Sequence, residues 1–312
     1  MIGSLIIDKP EGLTSHDVVS RVRRAAATRR VGHAGTLDPF ATGVLIVCVG
    51  RATRLVQFLV GLDKEYVATV RLGFATDTQD LTGKQITPLR SSNELSAGDV
   101  RRALDEFTGP QLQLPPMYSA KKVGGERLYR AAREGREVDR AAVPITIHSI
   151  ELVGGDDALA IRNEGGTRDF VMRVRCSSGT YVRTLAHDIG DRLGAGAHLA
   201  ALRRCAVGRF RVDGALTLEE VEARGREAAL EPCVVNPSDM LAHLPLVRLD
   251  EEGKRRVLHG RELGVSAQEA AMIQGGGRAV RLCDEKGELL GVGGYDVARQ
   301  VVKPRVVLHD TV

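Results

Sequence analysis

The sequence predicts an α+β protein in which several adjacent strands need antiparallel pairing, followed by a separate small C-terminal β domain. Three observations predict it. Short apolar runs of strand type recur along the chain; segments of helical period separate them irregularly rather than as strict βαβ units; and near Asn236 to Pro245 the pattern changes to short strands with turn signals. The 312 residues are about two domains' worth of chain, and a hydrophobic share of 43% is enough for an ordinary core.

In chain order, Ser4 to Ile7 is the first strand run, and Ser15 is placed to cap a helix carrying Val18, Val19 and Val22, with Asp17 favourable in its first turn. Gly43 to Val49 is the next strand, Ala52 to Val60 a helix, and Glu65 to Leu72 a strand. Ser96 or Asp99 opens a helix whose apolar face is Val100, Ala103, Leu104 and Phe107, and Gly109 ends it. Strands follow at Ile145 to Val153 and Phe170 to Cys176, then an amphipathic helix over Thr180 to Leu193. Thr217 and Glu220 have capping-box spacing for a helix through Ala223. In the tail, strands are expected at Ala279 to Cys283, Leu289 to Gly294 and Val306 to His309, with a turn at Asp284 to Gly287. The domains predicted are 1–240 and a small β domain over 246–312.

Composition narrows the function. No run approaches the roughly 20 apolar residues of a bilayer span, and MIGSLIIDKPEG lacks the basic, apolar and cleavage regions of a leader, so a cytoplasmic protein is expected. Cys48, Cys176, Cys205, Cys233 and Cys283 are odd in number and scattered, which supports neither a disulfide framework nor a zinc site. The net charge is only +4, and aromatics are 4% with no Trp, too few for a long stacking platform on single-stranded nucleic acid. Local counting is more informative. Arg168 to Arg209 holds eight Arg against three Asp, Pro115 to Arg140 seven bases against four acids, and Arg211 to Asp250 four bases against eight acids. The small total is a difference between unlike regions.

Chemistry concentrates in three strings. VGHAGTLDPFATGV, Val31 to Val44, places His33 and Asp38 on a glycine-rich loop leading into an apolar strand. Asp38 is either a functional carboxylate projected into a cleft or a turn residue capping its own loop, and a lone His33 is more often structural. No phosphate-loop or dinucleotide fingerprint is present, which disfavours a nucleotide cofactor. In the second string, Cys176 to Arg204, Tyr181 and Arg183 stand two apart at the start of a helix. Arg183 either pairs with a carboxylate across a cleft or solvates the helix start. In the third, PPMYSAKKVGGERLYRAAREGREVDR, the arginines Arg127, Arg130 and Arg133 recur every three residues, as on one helical face; an RNA clamp and an ordinary solvated surface both fit.

DKPEGLTSHDVV (Asp8 to Val19), GHAGTLDPFATGVL, KEYVATVRLGFATDTQD (Lys64 to Asp80), PPMYSAKKVGGERLYRAAREG and CSSGTYVRTLAHDIGDRLGAGAHLAALRR together resemble the bacterial TruB family of tRNA pseudouridine-55 synthases. The similarity in order and spacing covers about residues 3–210, and GELLGVGGYD with KPRVVLHD resembles the PUA-type RNA-binding barrel of that family. The resemblance implies the pseudouridine synthase fold, with a central mixed, largely antiparallel sheet flanked by helices, a small C-terminal PUA-like β-barrel, and isomerisation of uridine-55 in the tRNA T-loop without cofactor or metal. It implies that Asp38 is the nucleophile, with three routes open: attack on C1′, addition to C6, or elimination to a glycal. Tyr66 then stacks on the target base and moves a proton from the ribose, and Arg183 pairs with the Asp38 carboxylate. Tyr181 and Leu202 shape the uracil pocket, His33 stacks in the rearranged T-loop, and Lys9, Lys121 and Arg130 join the substrate-binding set. Residues 115–140 correspond to a mobile insertion that closes over the RNA. Lys121 stands where the family often has an apolar residue. The target bond is hidden in the folded loop, so the base must flip out. A stand-alone monomer with no obligatory protein partner is expected, able also to assist tRNA folding; a non-enzymatic tRNA-folding factor and a guide-RNA complex subunit are the competing readings.

Overall fold

In the strand Lys64–Leu72 every second residue, from Lys64 through Tyr66, Ala68 and Val70 to Leu72, is buried, and the residues between are half-exposed. Period two puts one set of side chains on the core face of a sheet. The computed structural model describes residues 1–119, 121–159, 163–276 and 278–308. These divide into two compact units: Met1–Asp38, Leu45–Val60 and Gly214–Val312 form the first, Pro39–Val44 and Gly61–Asp213 the second.

In the second unit Lys64–Leu72 lies between Arg168–Cys176 and Ala197–Val207, antiparallel to both. Val143–Val153 and then the edge strand Gly109–Gln113 continue the antiparallel series. Thr42 and Gly43 pair in parallel with Arg203 and Arg204, which makes the sheet mixed. The helix Ala97–Glu106 packs on Val143–Val153, and Val182–Arg192 packs on Ala197–Val207. Ser96 is the cap of the first of these, its hydroxyl accepting from the Asp99 N–H while Asp99 reaches back. Sequence periodicity misses Ala197–Val207 because register shifts after Leu199 and after Arg204 break the alternation.

In the first unit, Gly3–Lys9 neighbours the strand Thr42–Val49, whose residues Val47, Cys48 and Val49 pair antiparallel with His33, Gly32 and Val31. The helix Ser15–Ala25 and the helix Leu218–Arg226 close one core with these strands, built from Leu5, Ile7, Val18, Val19, Val22, Leu45, Val47, Leu218 and Val221. Each such side chain, fully buried, contributes about 1.5–3 kcal/mol. The two helices touch at Gly225, where a Cβ would stand 2.7 Å from that of Ala25.

The tail of this unit is a five-stranded sheet in the order Leu246–Leu249, Ala279–Asp284, Leu289–Asp296, Val301–Val307, Leu263–Gly264. Val247, Leu282, Leu290 and Val302 fill its core with Val257 and Ile273. Arg51 donates to the Leu308 carbonyl at 3.1 Å, and Arg54 to that of Val307.

Four expectations need correction. Thr14, not Ser15, caps the first helix, because Thr14 is extended and pairs reciprocally with Asp17. Ala52 to Val60 is a 3-10 segment, Gly50–Leu55, followed by one α-turn, Val56–Leu59. The tail includes two helices, Glu251–Leu258 and Ala267–Gly276, among its strands. Arg127 belongs to the short strand Glu126–Arg127, so it does not share a helix with Arg130 and Arg133, which lie on Leu128–Arg133. His309, at the end of the predicted last strand, Ala120 of the PPMYSAKK string, and the 309–312 end of the expected tail domain lie outside the described residues.

Candidate functional site

Asp38 is half-buried in the first unit, at the end of a loop that leaves the strand Val31–His33. The Ala34 N–H donates to the Ile46 carbonyl at 2.9 Å, which ties the start of the loop to the sheet. Its far end is held by Ser15. The buried Ser15 hydroxyl donates to the Leu37 carbonyl at 3.1 Å and accepts from the Leu37 N–H at 2.9 Å. One side chain thus fixes both peptide groups of the residue before Asp38. His33 is half-buried at the strand end, opposite Val47. Lys9 is fully buried, and its ammonium donates to the carbonyls of Pro10 and Leu13 at 2.8 and 2.7 Å, which orders the DKPEGLT turn.

Tyr66 is in the second unit, 8% exposed on the inward face of Lys64–Leu72, with Arg204 and Val174 as its cross-strand neighbours. Leu202 is equally buried two pairs along, opposite Ala68. Arg204 is almost fully buried, and its Nε donates to the Val44 carbonyl at 2.7 Å. Lys64 is buried on the same face as Tyr66; desolvation first, and then the Arg204 charge, push its ammonium down to about 8.

Arg183 is buried in the first turn of Val182–Arg192. It donates to the carbonyls of Thr78 at 3.1 Å and Tyr118 at 2.7 Å, and meets Asp80 at 3.4 Å. Asp80 is itself the organiser of the ATDTQD loop, accepting from the Thr78 hydroxyl, the Thr82 N–H and the Thr82 hydroxyl at 2.8, 2.9 and 2.6 Å. Tyr181 is the residue that starts the helix, and Gln113 grips its backbone at both N–H and carbonyl. Lys121 is half-buried and Arg130 exposed on Leu128–Arg133.

The second unit therefore brings Tyr66 together with Leu202 on adjacent strands, and Arg183 with Tyr181 on one helix start; Asp38, His33 and Lys9 belong to the first unit. Sequence reasoning missed Ser15 as a loop clamp, Gln113, Asp80 and Arg204. Only Asp80 has a local signal, a carboxylate flanked at two residues on either side by Thr78 and Thr82. Burial pushes Cys48 up to about 12 and Cys176 up to about 11, so neither of these thiols is a competing nucleophile.

Residues 23–182 match the description "TruB family pseudouridylate synthase (N terminal domain)", more than half of the chain. The chain belongs to the TruB family. Residues 183–242 of this TruB chain match "tRNA pseudouridylate synthase B C-terminal domain". It is 40% identical over 307 residues to a tRNA pseudouridine synthase B of Bacillus subtilis, covering 98% of this chain and 97% of that protein. It is 46% identical over 260 residues to the Geobacter sulfurreducens protein of the same name, covering 83% of this chain and 82% of that one. Among solved structures it is similar to a chain in a Cbf5–Nop10–Gar1 complex, with a TM-score of 0.73, 27% identity, and coverage of 99% of this chain and 85% of that one. The α+β pseudouridine synthase fold and the isomerase class of this TruB protein follow from those matches. Among the described residues of the TruB chain, no helix is long and apolar enough to cross a membrane.

Proposed function

We propose that this chain isomerises uridine-55 in the T-loop of tRNA to pseudouridine, with Asp38 as nucleophile. The observation that carries the reading is identity of 40% over 98% of the chain with a protein named tRNA pseudouridine synthase B. The C1′–N1 bond breaks, the flipped base turns, and C1′–C5 forms; the C5 proton leaves and N1 ends protonated, so no redox partner is needed. A carboxylate is a competent nucleophile for this task, and the Ser15 clamp at Leu37 supports it by limiting the freedom of the Asp38 loop.

Tyr66 is assigned to stacking on the base and to proton transfer, Arg183 to pairing with Asp38, and Tyr181 and Leu202 to the uracil pocket. His33 stacks in the opened T-loop, while Lys9, Lys121 and Arg130 contribute to substrate binding. The proposed organisation is a catalytic domain over 1–240, with the basic 115–140 segment closing on RNA, and a PUA-like RNA-binding domain over 246–312. The protein acts in the cytoplasm as a monomer without an obligatory protein partner, and it also assists tRNA folding.

The test is the purified chain with one unmodified tRNA transcript, scored for pseudouridine by position. Turnover at position 55 by the chain alone, with Asp38→Asn binding tRNA but making no product, is the expected result. Turnover only with added guide RNA or partner proteins supports instead a complex subunit. Binding and refolding of tRNA without any pseudouridine supports a folding factor, and substantial turnover by Asp38→Asn sinks the nucleophile.

A further inference from the structure

Val182–Arg192 starts without a side-chain cap: Tyr181, at its N-cap, makes no capping hydrogen bond. What fixes the helix start comes from 68 residues earlier. Gln113, the last residue of the edge strand Gly109–Gln113, is 3% exposed, and its carboxamide oxygen accepts from the Tyr181 N–H at 2.8 Å while its NH2 donates to the Tyr181 carbonyl at 3.0 Å. The carboxamide reads the backbone as a neighbouring strand would, one donor and one acceptor at a single residue. Two positions further on is Arg183, whose guanidinium donates to the Tyr118 carbonyl at 2.7 Å. The stretch from Gln113 to Tyr118 is thus tied to the helix start at two points.

We propose that Gln113 is a positioning residue of the synthase: through the Tyr181 backbone it sets the helix start that carries Arg183. The inference rests on the function proposed above. Without the grip, the Tyr181 peptide groups lose a partner on each side and the first turn is free to shift. A displacement of about 1 Å at a reacting centre is worth up to roughly 100-fold in rate. The chemistry of the carboxamide also separates positioning from mere bulk. A carboxyl in its place keeps the acceptor when ionised but sets a second oxygen against the Tyr181 carbonyl; once protonated, it donates there and restores both bonds. Arg140, which donates to the Pro115 carbonyl at 2.7 Å, and Arg183 are charged groups bonded to this segment.

The experiment compares wild type, Gln113→Leu and Gln113→Glu by kcat, KM, tRNA binding and pH profile, with thermal unfolding as the folding control. For Gln113→Leu we expect kcat to fall roughly 10- to 100-fold with tRNA affinity changed less than about threefold. For Gln113→Glu we expect low turnover at alkaline pH and recovery relative to wild type as the medium is acidified. A wild-type kcat in Gln113→Leu, or a Gln113→Glu profile parallel to that of wild type, overturns the proposal. If Gln113→Leu does not fold, the profile of the carboxyl variant decides alone. Wild-type protein that forms no pseudouridine in the same assay defeats the functional reading instead, whatever the variants do.

Discussion

Ser15→Ala isolates the clamp on the Asp38 loop. The substitution keeps a good helix former in the first turn of Ser15–Ala25 and removes one atom, the hydroxyl bonded to both peptide groups of Leu37. Ser15 and Leu37 are 2% and 4% exposed, so the freed N–H and carbonyl face a dry surround. Two hydrogen bonds of ordinary net worth, about 0.5–1.5 kcal/mol each, are lost, and the stranded groups add a desolvation cost, so the loop loosens by about 2–4 kcal/mol. At about 1.4 kcal/mol per tenfold, amide exchange at Leu37 should accelerate roughly 30- to 700-fold. Hydrogen exchange on a peptide covering residues 34–40 measures this directly, and kcat should fall alongside it with little change in tRNA binding. Thr14→Ala is the control: it loses the capping interaction with Asp17 and leaves the Leu37 bonds in place. Unchanged exchange at Leu37 in Ser15→Ala would refute the clamp, and faster exchange with unaltered kcat would refute its bearing on Asp38.

Gly43→Ala should cost about 3 kcal/mol or more in denaturant unfolding, because φ there is +100° and the new Cβ would stand 2.2 Å from the Arg204 carbonyl oxygen; a loss under about 1 kcal/mol contradicts the parallel pairing at Thr42 and Gly43. Buried His198 and half-buried Asp188 give pH effects of opposite sign. Burial, aided by the Arg71 charge, lowers the His198 value below 6.5, so folding disfavours its proton and stability falls as the medium is acidified below 6.5; His198→Asn should flatten that part of the Tm profile. Burial raises Asp188 from 3.8 to about 6, so its ionisation opposes folding above about 6; Asp188→Asn should raise Tm at neutral pH and give no gain below 3.8. Arg130→Glu, at an exposed helix position, should weaken tRNA binding most at low salt and reduce the slope of log affinity against log salt by about 1–2, and an unchanged slope removes Arg130 from the RNA surface.

What could be read in advance follows how local the controlling interaction is. Ser96 with Asp99 and Thr217 with Glu220 are visible in the sequence because each box closes within three residues. The glycine-rich loop of Asp38 is visible for the same reason. Ser15 stands at a helix start that the sequence marks, but its task is set by Leu37, 22 positions away, beyond the reach of any local pattern. Arg183 meets Asp80 within its own unit, 103 positions away, and no spacing rule connects the two. Ala197–Val207 escaped because its bulges and its alanines erase the alternation that marks Lys64–Leu72.

The discontinuity of the first unit sets an order of events during synthesis. Gly61–Asp213 is continuous and leaves the ribosome complete, able to collapse on its own neighbours. Gly3–Lys9 and Ser15–Ala25 are made earlier but finish later, for their partners are Leu216, Val235 and the helix Leu218–Arg226. At roughly 5–20 residues per second, the first apolar residues wait about 10–40 s before the chain that covers them exists. During that interval Leu5, Ile7, Val18, Val19 and Val22 are a nascent aggregation hazard, and a ribosome that stalls before residue 214 releases a product whose finished middle is joined to an uncovered beginning.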